Sequence, residues 1–152
     1  MTLDGFFTVA APRDTVWRSI RDPEVIAECV PGCRDVAAVS PTSYRATIVV
    51  ALGPISASFD LVVDITGETP PEQISMRTHG AEGSRASMLN AVSVVTLKET
   101  DGGHTDVHYT SDVSITGRFG RFGLGVIRKK ADQLAKDFTK KFADALQTAD
   151  AS

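Results

Sequence analysis

Hydrophobic and polar positions alternate along the middle of the chain and recur with a helical period near its end. Tyr44, Ala46, Ile48, Val50 and Leu52 share one parity against Arg45, Thr47, Val49 and Ala51. After Gly53-Pro54 the alternation resumes, with Ile55, Ala57, Phe59, Leu61, Val63 and Ile65 against Ser56, Ser58, Asp60 and Asp64. Successive side chains of a strand point to opposite faces, so a period of two predicts a half-buried hairpin. Thr69-Pro70-Pro71-Glu72 breaks the pattern, Ile74, Met76 and Thr78 begin another strand, and Val92 to Leu97 reaches the turn Asp101-Gly102-Gly103. Beyond it Val107, Tyr109, Ser111, Val113 and Ile115 alternate with His108, Thr110, Asp112 and Ser114. Long strands joined by tight turns predict an antiparallel sheet with one apolar face.

Helical signals flank this meander. Phe6, Phe7 and Val9 read as a first strand that stops at Ala11-Pro12. Pro12 suits the first position of a short helix, where its missing N–H would have no partner, and Val16, Trp17 and Ile20 form the apolar face. Asp22-Pro23 repeats the start signal with a capping side chain and opens a second short helix through Val25 and Ile26, ending near Val30-Pro31-Gly32. From Arg118 to about Leu146 no proline intervenes, and Leu134, Phe138, Phe142 and Leu146 recur every fourth residue along one face of a long helix. At about 1.5 Å per residue that helix reaches roughly 40 Å, more than a simple crossover needs, so a sheet must wrap it. Glycine inside a helix costs about 1 kcal/mol relative to alanine. Gly120, Gly123 and Gly125 therefore predict a mouth, a hinge or close helix-on-sheet packing at the helix start. Gly80, Gly83 and Ser84 predict a bulge, a strand end or a turn. The element order is strand, two short helices, about six strands and a long helix, an α+β arrangement expected to form one domain over residues 1–152.

Composition changes this picture little: 152 residues, 42% of them hydrophobic, with a formal charge of -3, describe one domain with a real core. Charge is unevenly placed, because residues 113–152 hold eight Lys or Arg against four Asp, leaving eight against fifteen elsewhere. That basic end suits an acidic partner or an anionic membrane surface, or is simply a solvated helix face; the acidic remainder argues against nucleic acid. Met1 to Gly5 carry no basic n-region, and no stretch of eighteen uncharged apolar residues occurs, so a cytoplasmic location is expected, with peripheral contact at the inner membrane face as a variant. Cys29 and Cys33 lack the second ligand pair of a structural zinc site and read as reduced thiols, packed or covering a cavity mouth.

Candidate chemistry is sparse. His79, His104 and His108 fall on polar parity or beside a turn and read as solvated; Asp60 and Asp64 share the outward parity and read as surface charges. No serine, cysteine or histidine carries a nucleophile or metal spacing, so no catalytic residue and no metal site is expected. Tyr44 and Tyr109 lie on the apolar parity of their strands, where each hydroxyl needs a partner: backbone, water, or the polar group of a ligand.

An ordered set of short motifs runs through nearly the whole chain: Val9-Ala10-Ala11-Pro12 with Val16-Trp17, Asp22-Pro23-Glu24, Ile26-Ala27, and Cys29-Val30-Pro31-Gly32-Cys33. It continues with Tyr44-Arg45-Ala46, Leu52-Gly53-Pro54-Ile55, Phe59, Gly80 with Gly83, and Gly117-Arg118-Phe119-Gly120 with Gly123. On these residues the sequence resembles the helix-grip superfamily of START-like, polyketide cyclase-like and lipid-transfer proteins (SRPBCC), and within it the CoxG branch, named for the G subunit of carbon monoxide dehydrogenase. The resemblance implies a curved antiparallel sheet of six or seven strands gripping a long C-terminal helix over an apolar cavity. It implies a noncatalytic accessory protein of a molybdenum-containing CO dehydrogenase or related hydroxylase, binding a quinone or lipid and associating with a membrane or enzyme partner. Longer members of the branch carry a C-terminal extension thought to reach the membrane; this sequence ends at Ser152, so transient contact is expected instead.

The expected cavity lining is Ile26, Val30, Pro31, Tyr44, Ile48, Phe59, Leu61, Met76, Leu89, Tyr109, Phe122, Val126, Ile127 and Leu134. The expected membrane or partner contact is Arg118, Phe119, Arg121, Arg128 and Lys129, with Phe122 beside it, where basic and aromatic residues sit side by side. Burial of both phenylalanines is the competing expectation. No cofactor is expected, the quinone or lipid being cargo. Two other readings stay open: a cyclase- or dehydratase-like enzyme acting on an aromatic substrate, and a ligand-free assembly factor.

Overall fold

β1 (Thr2–Val9) pairs antiparallel with β7 (His104–Gly117) along its whole length, Thr2 opposite Asp112 and Val9 opposite Thr105, so the first strand lies beside the last. From β7 the sheet continues backwards through the chain as β6 (Ser87–Thr100), β5 (Gln73–Glu82), β4 (Ile55–Thr69), β3 (Ser43–Leu52) and β2 (Cys33–Ser40). β1 and β2 are the two edges of this seven-stranded antiparallel sheet. Two short helices, α1 (Arg13–Ile20) and α2 (Pro23–Cys29), carry the chain from one edge to the other. After β7 a 3-10 turn at Gly120–Phe122 leads into the long helix α3 (Leu124–Ala151). The computed structural model describes residues 1–83 and 87–151, and Ser84 lies outside them. The architecture is the α+β arrangement expected from the element order and the helix-grip class that the resemblance implies.

Local causes are visible at each junction. Asp22 caps α2 by accepting the Glu24 N–H at 3.0 Å, with Pro23 at the first turn. The β6–β7 turn uses Gly102 and Gly103 at φ of 81° and 76°, a region side chains rarely enter. Register carries the alternation across the sheet: Tyr44 faces Val63 and Ile48 faces Phe59, so the apolar parities of β3 and β4 share one face.

Several boundaries differ from expectation. The long helix begins at Leu124, not Arg118, because Gly117 and Gly123 take φ of 86° and 88° and isolate Arg118 to Phe122 as a separate turn. Pro12 is the cap residue before α1 (φ −64°, ψ 151°) rather than its first helical residue, and donates nothing in either place. β2 has no alternating signature: it is an edge strand with two irregularities in its pairing to β3, and its Val39 stays 58% exposed. β4 runs past Ile65 to Thr69 through a register shift between Ile65 and Gly67.

The core is split in two. One cluster joins Val9, Ala11, Val16, Cys29, Leu97 and Val107 to Phe142 and Leu146 near the C-terminal end of α3, where Phe138 stacks on Phe142 at 5.5 Å. The other joins Leu52, Ala57, Phe59 and Leu61 to Phe119. The helix lies across both, and the space between helix and sheet is where the packing is incomplete.

Candidate functional site

Two cavities lie end to end under α3. The first, of about 220 Å³, is lined by Phe7, Ile20, Ile26, Tyr44, Val63, Met76, Thr78, Val95, Val107, Tyr109, Phe138 and Phe142. The second, of about 210 Å³, is lined by Met1, Leu3, Val30, Pro31, Ile48, Val50, Leu52, Phe59, Leu61, Leu89, Val113, Ile115, Phe119, Ile127, Lys130, Ala131 and Leu134. Their order follows from the strands, since Leu3, Ile48 and Val113 line the second and Phe7, Tyr44 and Tyr109 the first. The inward positions between them on those strands are Gly5, Ala46 and Ser111, and the Tyr109 ring lying over Gly5 makes the waist between the chambers. At that waist the Ser111 and Ser93 hydroxyls share one hydrogen bond at 2.8 Å, one donating and the other accepting.

The two chambers differ in chemistry. The second is almost wholly apolar, Lys130 and the N-terminal Met1 being the lining residues that carry a charge. The first holds the Tyr44 and Tyr109 hydroxyls and Thr78. Neither tyrosine hydroxyl has a hydrogen-bond partner among the described residues. Burial is the main reason both phenols sit above their ordinary pKa; nearby Cys33 adds to this for Tyr44 against an opposing pull from Arg21, and Asp132 and Asp4 add to it for Tyr109. Both therefore stay neutral at physiological pH and can each donate one hydrogen bond into the chamber. Among the described residues no Asp, Glu, His or Cys lines either cavity, and no cluster of three such side chains gathers.

Of the residues expected around one cavity, Val30, Pro31, Ile48, Phe59, Leu61, Leu89, Ile127 and Leu134 line the second chamber, while Ile26, Tyr44, Met76 and Tyr109 line the first. Two expectations are corrected. Val126 is 48% exposed because it points away from the sheet on the first turn of α3. Phe122 is half-buried against the second core cluster and lines neither chamber. Met1, Leu3, Val50, Leu52, Val113, Ile115, Phe119, Lys130 and Ala131 complete the second chamber, and the parity of the strands and the spacing of α3 were the signals that pointed to most of them.

The expected surface contact also divides. Phe119 is 2% exposed, inside the second chamber and 5.5 Å from Phe59 ring to ring, so it is core and not a contact. Arg118 is half-exposed and engaged with Glu82, at 2.8 Å from one guanidinium nitrogen and 3.4 Å from another. Arg121, Arg128 and Lys129 face solvent. Sequence reasoning missed Glu82, which is 3% exposed; it continues the inward parity of Ile74, Met76, Thr78 and Gly80. His108 and His79 lie on the outer face, 2.6 Å from Asp4 and 3.4 Å from Asp64. Cys29 is buried and Cys33 half-buried; both are free thiols with pKa raised mainly by burial, then by Glu28 and Asp35 respectively. No helix among the described residues is long and apolar enough to cross a membrane.

Comparison with known proteins places this geometry. The family model for the G subunit of carbon monoxide dehydrogenase (CoxG) matches residues 5–147. A conserved protein from Geobacillus kaustophilus superposes with a TM-score of 0.90 at 21% identity, covering 98% of this chain and 97% of that one. A START superfamily protein from Mycobacterium smegmatis gives 0.74 at 13% identity, with 97% and 98% covered. The Zhui aromatase/cyclase from Streptomyces sp. R1128 gives 0.71 at 14% identity, with 97% and 93% covered. At these identities the likeness shows a shared fold. No curated protein sequence matches the chain.

Proposed function

The chain belongs to the CoxG family, and from that membership and the paired chambers under α3 we propose that it is a noncatalytic carrier, accessory to a molybdenum-containing CO dehydrogenase or related hydroxylase, that holds an elongated apolar molecule between sheet and helix. The observation that carries the reading is the chemical contrast of the two chambers, two unpartnered hydroxyls in one and hydrocarbon in the other. A quinone or a lipid has this shape, with a polar oxygen-bearing head and an aliphatic tail. Each chamber exceeds the roughly 150 Å³ that accepts a benzene ring, and neither alone reaches the ~300 Å³ usual for a ligand site, so one molecule spanning both is the economical occupant. Tyr44 and Tyr109 would donate to the head's oxygen, and the tail would pass the Ser93–Ser111 waist. Transfer to a membrane or to the enzyme partner is the use such a carrier would have.

An enzyme of the aromatase/cyclase kind is the second reading, and the two phenols in the first chamber favour it. Proton transfer works best from a group whose pKa lies near the operating pH. Burial moves both phenols away from that range, and neither chamber holds a carboxylate or imidazole. This weight of chemistry favours the carrier.

Native mass spectrometry of protein purified gently from its own cells, followed by organic extraction, tests the proposal. A quinone or lipid at close to one per chain is the expected result. A clean unliganded mass, persisting after incubation with quinones and membrane extract, would overturn the carrier in favour of an assembly factor or an enzyme awaiting its substrate.

A further inference from the structure

The second chamber is closed at one end by a short strap. Gly117 and Gly123, with φ of 86° and 88°, bracket Arg118 to Phe122, so the strap has a glycine hinge at each end. Three contacts hold it down. Arg118 donates from two nitrogens to the Glu82 carboxylate at 2.8 and 3.4 Å. The Phe119 N–H donates to Ser87 Oγ at 2.9 Å. The Phe119 ring fills the end of the chamber against Phe59, with the Arg118 guanidinium 5.6 Å above its centre. Of the groups in the polar contacts, Glu82 and Ser87 are 3% and 1% exposed, while the Arg118 side chain is 42% exposed.

Along the strap and the first turns of α3 the charge is mainly positive, with Asp132 and Asp137 the acidic residues that share a groove with Arg128 and Lys129. From Arg118 to Ala131 the chain carries Arg118, Arg121, Arg128, Lys129 and Lys130 and not one acidic residue. Arg121, Arg128 and Lys129 face solvent, with the exposed Val126 among them. Cations around an exposed aliphatic side chain complement a bilayer surface of anionic headgroups over acyl chains.

We propose that Gly117–Gly123 is the gate of the apolar chamber and that an anionic membrane surface opens it, by taking Arg118 from Glu82 and so freeing Phe119 to swing on its glycine hinges. The inference rests on the carrier reading and adds the place of passage and its trigger. Lipid phosphates offer Arg118 the same bidentate partner that Glu82 does, and Arg121, Arg128 and Lys129 hold the strap against the surface while the exchange occurs. A molecule leaving the bilayer then passes directly from acyl chains to the hydrocarbon chamber. With the membrane gone, Glu82 recovers Arg118 and Phe119 closes the end.

The test follows uptake of Nile red, a neutral apolar fluorophore, by stopped flow with the full chain. Vesicles containing 30% phosphatidylglycerol should speed uptake at least tenfold over phosphatidylcholine vesicles. Replacing Arg121, Arg128 and Lys129 together by Gln should remove that gain, whereas Lys140→Gln with Lys141→Gln should keep it. The pair Glu82→Gln with Arg118→Gln should speed uptake without vesicles and flatten the vesicle dependence. Equal rates with both vesicle types, or wild-type rates in the Glu82/Arg118 double variant with an unchanged melting temperature, would overturn the gate while leaving the carrier intact. Acceleration by soluble polyglutamate but not by vesicles would overturn the membrane as trigger in favour of an acidic protein. No equilibrium binding of Nile red would overturn the carrier, and the gate with it.

Discussion

The ring of Tyr109 lies directly over Gly5, its cross-strand partner, and occupies the space that any side chain at position 5 would need. Gly5 is thus the seat on which Tyr109 rests at the waist between the two chambers, flanked by Leu3 in one and Phe7 in the other. Gly5→Val should force the ring off this seat and cost about 1–3 kcal/mol, as overpacking does. For a chain of this size that lowers Tm by about 2–4 °C per kcal/mol. In a Tyr109→Ala background the same valine should cost much less; an equal loss in both backgrounds would show that the strand and not the ring makes glycine necessary.

Tyr44 and Tyr109 answer to ligand and not to the fold. Since neither hydroxyl has a protein partner among the described residues, Tyr44→Phe and Tyr109→Phe should each leave Tm nearly unchanged. Each should weaken a carbonyl-headed ligand by about 1 kcal/mol, the net worth of one hydrogen bond, and leave a plain hydrocarbon unaffected. Isothermal titration with a short-tailed quinone and with an alkane of similar size makes the comparison, and equal losses for both would remove the tyrosines from head recognition.

Ala131 is the smallest side chain that α3 presents to the hydrocarbon chamber. Ala131→Leu should fill part of that void at little cost in helix propensity, holding or raising stability by up to about 1 kcal/mol. Binding of an apolar ligand should fall tenfold or more. A variant that binds as well as the parent would move the ligand out of this chamber.

Much of this site was legible in the sequence because it depends on parity. Alternation along β3, β4 and β7 placed Tyr44, Ile48, Phe59, Leu61 and Tyr109 inward, and the four-residue spacing of α3 placed Leu134 and Phe138 over them. What escaped was the division into two chambers, which depends on the Tyr109 ring lying over Gly5, a cross-strand pairing between residues more than a hundred positions apart. The strap escaped for a related reason. Nothing local in Arg118-Phe119 tells an exposed basic-aromatic pair from a buried ring with a tethered arginine; the difference lies in Glu82 and Ser87, more than thirty residues away.

Alkaline pH should destabilise the protein through four groups. Cys29 and Cys33 sit above their ordinary value of 9.0 and Tyr44 and Tyr109 above theirs of 10.0, chiefly because burial disfavours the charged forms. With pKa raised in the folded state, the unfolded chain loses these protons first, so stability is fully present below about pH 9 and falls as pH rises through the folded values. Urea midpoints at neutral pH and at about pH 11 should show the drop, shallower in Tyr44→Phe and in Cys33→Ser. A midpoint rising with pH would contradict the assignment.

Phe119 decides between two meanings of the basic-aromatic segment. Were it a membrane anchor in the resting protein, Phe119→Ala would spare the fold. At 2% exposed, packed on Phe59 and Phe122, it should cost about 3–5 kcal/mol, the usual loss for a buried phenylalanine. The loss should not extend to Arg121→Gln, whose exposed side chain should leave Tm within about 2 °C, because surface substitutions away from packed or paired groups stay within about 0.5 kcal/mol. Differential scanning calorimetry of the two variants side by side reads the contrast. A stable Phe119→Ala would place the ring outside the core and reopen the whole segment as a permanently exposed surface.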